Sequence, residues 1–176
     1  MACLTYRSLH AGTDTTSIPL YLGAPWYAQA AGRPYRDRLN DRADYTALSR
    51  YSVASGYALA PTAVQTTVHA LLETVERDAC SMLIIGALLA GRPPAVLAPA
   101  TLPDELAALR TRAEREAARR VYLIDATSDL AIPTVLAYVP PTSSSTYLRG
   151  QAAALTFHEA VQGALCELLE STAAPP

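Results

Sequence analysis

Lysine is absent from this 176-residue chain; all 14 basic residues are arginine. That absence removes two chemistries. A P-loop needs lysine on its phosphates, and Schiff-base catalysis needs a lysine amine. Cysteine is scarce: Cys3, Cys80 and Cys166 stand far apart, in neither a disulfide framework nor a zinc pattern. We read them as reduced thiols, with Cys80 and Cys166 as small buried apolar side chains. An excess of one charge is also lacking. The formal net charge is −2, which leaves no electrostatic footprint for nucleic acid. The most apolar segment, residues 80–90, is too short to span a bilayer as a helix. The N-terminus has no basic region followed by an apolar run. The expectation is a cytoplasmic protein with neither a nucleic-acid nor a membrane partner.

What is present points to a folded domain. The chain is 51% hydrophobic and 17% charged, which suits a buried core and argues against disorder. We expect one domain over residues 1–176, weakly ordered over 1–16 and frayed over 172–176. Ser17 to Gly23 reads as a short strand, and Tyr51 to Leu59 as a β-tolerant run. Pro61 suits the first turn of a helix reaching about Cys80, with Val64, Val68, Leu71 and Val75 as its buried stripe. Ser81 to Ala87 and Ala95 to Ala98 read as strands. Thr101, Pro103 and Asp104 open a charged helix to about Arg120. Its RTRAEREAARR run is a solvated face with i, i+4 pairs. Val121 to Ile124 and Ile132 to Val139 are strands joined by a turn at 125–129. Pro140 to Ser145 is a loop, and Gly150 to Ser171 is a second helix with its lead-in. Alternating strands and helices give an α/β, α+β layered domain, a mixed sheet packed with two Glu-bearing helices.

Those helices share a sequence. Residues 70–76 (ALLETVE) and 164–170 (ALCELLE) both fit A-L-x-E-x-x-E. Gly56 precedes Glu73, and Gly150 precedes Glu167, by the same interval. The i, i+3 spacing places Glu73 with Glu76, and Glu167 with Glu170, on one helix face each. Mg²⁺ prefers carboxylate and phosphate oxygens, so four such carboxylates suit a nucleotide triphosphate with Mg²⁺. Arg77 stands ready to grip a phosphate in bidentate fashion, or to pair with Asp78 or a neighbouring Glu.

Other residues are weighed against these. His69, four before Glu73, makes H-x-x-x-E-x-x-E, a transition-metal pattern set against an ordinary hydrogen-bonded histidine. His158 and Glu159 read as capping and dipole residues. Asp125, Thr127 and Asp129 read as turn formers. Ser52, Ser55 and Ser81 lack the His and Asp context of a nucleophile. The tyrosines and tryptophan clustered in residues 21–57 read as packing and rim residues.

Three segments carry a family resemblance. YSVASGYALAPTAVQTTVHALLETVERDACSMLI resembles the segment of YcaO-type proteins that ends A-L-x-E-x-x-E-R-D-A. VYLIDATSDLAIPTVLAYV is similar to the family's D-x-T-x-D-x-x-x-P-V strand–turn–strand. LRGQAAALTFHEAVQGALCELLES resembles its glycine segment and following helix A-L-x-E-x-x-Q-S-R. The match runs over about residues 50–171 in the family's order. Glu170 stands where many relatives carry Gln. The resemblance implies ATP- and Mg²⁺-dependent activation of peptide backbone amides, giving azolines or thioamides in ribosomally made peptide natural products. It implies that Glu73, Glu76, Glu167 and Glu170 bind the metal, and that Arg77 joins them in holding the nucleotide.

The resemblance is partial. The family's earlier helix with a further E-x-x-E has no counterpart in residues 1–49, which contain no Glu. Its Ser-rich, Lys-containing nucleotide segment is missing, and Thr172 stands where the Arg would. The expectation is a middle-to-late part of a YcaO domain with an incomplete ATP site and no independent turnover. It would act as a partner or precursor-peptide-binding subunit beside a full-length YcaO-type or other maturation enzyme. The alternatives are a minimal active enzyme assembled as a homodimer and a small-molecule-binding or self-protection protein.

Overall fold

The computed structural model describes residues 1–8, 14–48 and 56–173. The chain divides into two compact units, Met1–Tyr57 and Ala58–Pro176. Of the expected 51–59 run, residues 51–55 lie outside the described residues, and 56–59 form no strand.

The first unit opens with an antiparallel pair, β1 (Cys3–Arg7) and β2 (Thr15–Pro19). The expected strand from Ser17 stops at Pro19. Leu20–Gly23 turns into helix α1, followed by α2 (Pro25–Ala28) and α3 (Arg33–Arg38). The core is aromatic. Tyr21, Tyr27 and Tyr45 are buried with their rings edge to face. The hydroxyls of Tyr27 and Tyr45 both donate to Asp41 Oδ2, at 3.0 and 2.7 Å. The Ala2 and Ala43 N–H groups donate to the same carboxylate. A buried carboxylate needs such partners. Burial pushes the Asp41 carboxyl up, but the hydrogen bonds from Tyr45, Ala43, Ala2 and Tyr27 outweigh it and hold it below its ordinary value. Burial and the bond to Asp41 push Tyr27 up to about 12.

The second unit is a layered α/β domain. Helix α4 (Ala63–Leu89) is followed by β3 (Ala95–Val96), α5 (Asp104–Ala117), β4 (Tyr122–Asp125), β5 (Thr134–Val139), β6 (Leu148–Ala153) and α6 (Phe157–Ala173). The strands lie in the order β3-β4-β5-β6, and every ladder is antiparallel. The α/β layered class read from the sequence holds, but the expected mixed sheet is antiparallel throughout the described strands.

Side chains alternate across the sheet. Val135, Ala137 and Val139 of β5 join Leu123, Leu106 of α5, and Ala160, Val161, Ala164, Leu165 and Leu168 of α6 in one core. Leu136 and Tyr138 face the other way, toward Ile84 and Leu88 of α4. The sheet is therefore covered by α5 and α6 on one face and crossed by α4 on the other.

Several local expectations are corrected. Helix α4 starts at Ala63, not Pro61, because Thr62 caps it. Thr62 Oγ1 accepts from the Gln65 N–H, and its hydroxyl donates to Gln65 Oε1. The helix runs through Ser81 to Ala87, the expected strand. Gly86 is accommodated within the helix, which ends only before Gly91, where φ is +60°. The expected stripe is only partly buried: Val64 is 73% exposed and Leu71 61% exposed, while Val68 and Val75 are half-buried. The buried residues of α4 are Ala79, Cys80 and Gly86. Helix α5 begins at Asp104 without the expected side-chain cap; the Thr101 hydroxyl donates to the Ala98 carbonyl instead. It ends at Ala118, whose φ is +50°. As expected, its charges pair along the helix: Arg110 meets Glu114 at 2.7 Å. Gly150 belongs to β6 rather than to the approach of a helix. Cys166 is exposed, not buried.

Gly150 fixes the distance between β6 and α6. A Cβ there would collide with the Ala164 carbonyl oxygen and the Leu168 nitrogen, both helix backbone. Only glycine admits this approach. Gly150→Ala is expected to destabilise the second unit by ~1–3 kcal/mol through overpacking, and urea unfolding followed by far-UV circular dichroism checks this; an unchanged midpoint would refute the close contact. In the first unit, a carboxyl held below its ordinary value stabilises above the unfolded value and loses that contribution as pH falls through the folded one. Fluorescence of Trp26, the chain's single tryptophan, should therefore report loss of stability below about pH 3.9. Asp41→Ala should cost at least ~2 kcal/mol at pH 7 and show a much weaker acid dependence.

Candidate functional site

The two glutamate helices meet at the free edge of β6. Gln151, 7% exposed, stands between them. As the last strand in the sheet, β6 has an outer row of N–H groups with no ladder partner. The Gln151 N–H donates to Glu167 Oε2 of α6 at 2.6 Å. The Gln151 Nε2 group donates to Glu76 Oε1 of α4 at 2.8 Å. One residue thus joins carboxylates from helices on opposite faces of the sheet.

The other expected site residues are arranged differently. Glu73 lies one turn before Glu76 and pairs with Arg77 at 3.7 Å across i, i+4. Arg77 is thus engaged with a neighbouring Glu, one of the two roles read for it. Glu170 is exposed on α6 and makes no hydrogen bond or ion pair among the described residues. His69 is exposed on α4. Among the described residues, no three His, Cys, Asp or Glu side chains converge to hold a metal.

Electrostatics single out Glu76. Burial pushes its carboxyl above the ordinary value; the Gln151 hydrogen bond opposes that, the Glu167 charge adds to it, Arg77 opposes it and Glu73 adds to it. Cys80 lies one turn along α4. Its thiol is pushed up to about 11, first by burial and then by the Glu76 charge. At neutral pH it is therefore a thiol, not a thiolate nucleophile.

The remaining candidates serve structure. Thr127 N–H donates to Asp125 Oδ1 at 2.9 Å, and Thr134 N–H to Thr127 Oγ1 at 3.2 Å, so this turn is held by its own side chains. At the start of α6 the Thr156 hydroxyl oxygen accepts from the Glu159 N–H, and the hydroxyl donates to Glu159 Oε2. His158 lies 3.2 Å from Glu105 of α5. The Ser81 hydroxyl donates to the Arg77 carbonyl. Ser52 and Ser55 lie outside the described residues.

Gln151 was not singled out in the sequence. Its signal is the glycine before it. Gly56 and Gly150 precede their glutamates by the same interval but for different reasons. Gly56 has φ +74°, whereas Gly150 marks the tight strand–helix approach. That approach brings the next residue's N–H to Glu167.

The chemistry of this edge is that of a hard-cation site. Two carboxylates are joined through one residue, Glu167 by the backbone N–H of Gln151 and Glu76 by its side-chain amide, and each retains an oxygen not used in these bonds. Mg²⁺ is commonly held by one or two carboxylates together with substrate phosphates, so Glu76 and Glu167 fit it. The fold and its edge make a carboxylate-bearing α/β domain.

Comparison with known proteins agrees. The family model described as "YcaO cyclodehydratase, ATP- and Mg2+-binding" matches residues 28–175. The chain belongs to the YcaO family. Three solved structures share the fold. The E. coli microcin synthetase McbBCD complex matches at 16% identity with a TM-score of 0.66, over 97% of this chain and 40% of that one. The heterocyclase TruD matches at 18% identity and a TM-score of 0.61, over 96% of this chain and 22% of that one. A heterocyclase solved in complex with substrate and cofactor matches at 21% identity and a TM-score of 0.57, over 68% of this chain and 16% of that one. The chain thus spans 40% or less of these solved chains. No curated protein sequence matches it significantly. Among the described residues no helix is long and apolar enough to cross a membrane.

The raised Glu76 carboxyl gives a test of the edge. A group raised in the fold stabilises below its unfolded value, and that contribution is lost as pH rises through the folded one. Glu76→Gln keeps an acceptor for Gln151 and removes the charge. It should flatten the decline in stability above about pH 4.3 and leave the variant more stable than the parent at pH 7.5. Urea titrations at pH 4 and pH 7.5 decide this; identical pH slopes would sink it. Gln151→Ala keeps the backbone N–H that holds Glu167 but leaves Glu76 without its side-chain donor, and should cost ~1–3 kcal/mol.

Proposed function

We propose that this chain is a YcaO-type component of ribosomal peptide natural product maturation that works with a second polypeptide. It binds the precursor peptide and contributes part of a Mg²⁺–ATP site to a full-length YcaO-type or other maturation enzyme. The reaction served is ATP-dependent modification of a backbone amide to an azoline or thioamide. The observation that carries this reading is Gln151 joining Glu76 and Glu167 across the edge of β6. Two carboxylates are enough to touch a cation but leave most of its coordination to phosphate, water and other groups.

In this reading Glu76 and Glu167 hold Mg²⁺, which when bound neutralises phosphate charge during amide activation. Glu73 and Glu170 lie one helical turn away on their own helices and extend the acidic wall. Arg77, held by Glu73, is placed to reach a phosphate oxygen. Gln151 orients the two ligands by donating to both. Support for the peptide comes from relatives: the microcin synthetase complex was also solved with pro-MccB17 bound, and a heterocyclase with substrate and cofactor.

Calorimetry and reconstitution test the proposal. The chain alone should show little heat with Mg²⁺–ATP. Added to the maturation enzyme and precursor peptide encoded beside it, it should raise the rate of peptide modification. Combined Glu76→Gln and Glu167→Gln changes should lower that gain at least tenfold. A chain that recovers neither enzyme nor precursor in pull-downs, and never alters peptide processing, would overturn the reading.

A further inference from the structure

Beside the glutamate edge, on the face of the sheet crossed by α4, runs an apolar groove of about 480 Å³. That volume is in the range of small-ligand sites, about 300–1,000 Å³. Ile84 and Leu88 of α4 form one wall, and Leu136 and Tyr138 of β5 lie opposite. Tyr147 extends the surface, its ring 6.2 Å from that of Tyr138 and tilted by 31°. The groove is open along its length, with Leu88 77% exposed and Tyr147 52% exposed.

Two polar residues of β6 also line it. Gln151 is buried and has its N–H committed to Glu167 and its Nε2 to Glu76, yet Oε1 has no hydrogen-bond partner. The Glu76 carboxylate fixes which end of the amide is the donor. A buried carbonyl without a donor is costly and uncommon. Arg149 lies two residues earlier, on the same face of the strand. Its exposed guanidinium forms no ion pair among the described residues.

A matching ligand therefore supplies one N–H, an apolar body and a nearby negative charge. An extended peptide has all three, and an open groove admits a chain passing through. The peptide lies on the sheet face and does not add a strand, because Glu167 already occupies the Gln151 N–H at the edge. We infer that this groove seats a peptide segment, an apolar side chain filling it while the backbone N–H of that residue donates to Gln151 Oε1 and a following acidic residue meets Arg149. The inference takes its peptide from the function proposed above; the groove stands on its own geometry. It implies selection for a precursor with an aromatic or aliphatic residue followed by Asp or Glu, adjacent to the amide to be modified.

The probe is N-acetylated, C-amidated Gly-Phe-Asp-Gly, titrated into the isotope-labelled chain and followed by NMR. It should bind saturably and shift the resonances of Leu136, Tyr138 and Gln151. Replacing Phe by Ala, or methylating the Phe nitrogen, should weaken binding about tenfold, the latter because the buried acceptor stays unpaired. Leu88→Arg, an exposed substitution, should block the groove. Arg149→Glu should weaken the Asp peptide and favour its Lys analogue. Equal binding of the N-methyl peptide, shifts mapping elsewhere, or no saturable binding would overturn the inference. Peptide binding without any effect on processing or Mg²⁺–ATP upholds the groove and sinks the proposed function. An intact effect of Glu76 and Glu167 on processing without peptide binding sinks the groove alone.

Discussion

The second unit depends on how closely α6 approaches β6 at Gly150. Helix backbone touches strand backbone there, with no side chain between. The contact draws Ala164, Leu165 and Leu168 fully into the core against Val135, Ala137 and Val139. It also brings the Glu167 carboxylate to the Gln151 N–H at 2.6 Å. A larger residue at 150 would lift the helix away, removing the core packing and the carboxylate from the edge together. Stability and candidate chemistry therefore rest on the same missing Cβ.

The second constraint is charge. Glu76 and Glu167 approach from opposite faces of the sheet, and the Glu167 charge adds to the burial that raises the Glu76 carboxyl. The Gln151 side-chain amide opposes that rise, while its backbone N–H holds Glu167. Its own carbonyl is left without a partner. The arrangement keeps two carboxylates close without neutralising them, the condition under which a cation binds with most gain. Asp41 in the first unit shows the contrasting solution. Unlike half-buried Glu76 and exposed Glu167 it is buried, and four donors surround it and hold its charge. That carboxylate is saturated and structural; the edge pair is under-satisfied.

Much of this was legible in the sequence. The layered class, the two glutamate helices, most of the strand read over 132–139 and the paired charges of α5 came from patterning and spacing, and the family from the resemblance of three segments. What failed was facing and continuity. The Val64, Val68, Leu71, Val75 stripe reads as buried because apolar side chains recur at helical spacing. The helix instead buries Ala79, Cys80 and Gly86 and turns Glu76 toward the sheet. A small-residue face permits close packing on a strand, and tertiary contact overrides periodicity. The same apolar richness made residues 81–87 look like a strand, although the helix accommodates Gly86 and continues to Leu89. Gln151 was hidden for another reason. A polar residue in a strand carries no periodic signal, and its importance comes from partners distant in sequence, Glu76 and Glu167.

The facing of α4 also explains why groove and glutamates occur side by side. Glu76, Cys80, Ile84 and Leu88 follow one another at four-residue spacing along the helix. The row begins with a carboxylate at the Gln151 edge and ends with exposed aliphatic side chains beside Tyr138 and Tyr147. Gln151 and Arg149 run along β6 on the same face of the sheet. Helix and strand thus grade together from acidic and polar at one end to apolar and cationic at the other. Cys80 sits at the junction, buried and uncharged, so no thiolate competes there for a cation or an electrophile. A peptide lying in the groove would place its backbone beside the carboxylate edge while its side chain stayed away from it. The close contact at Gly150 holds Glu167 at that edge and so fixes the distance between groove and carboxylates.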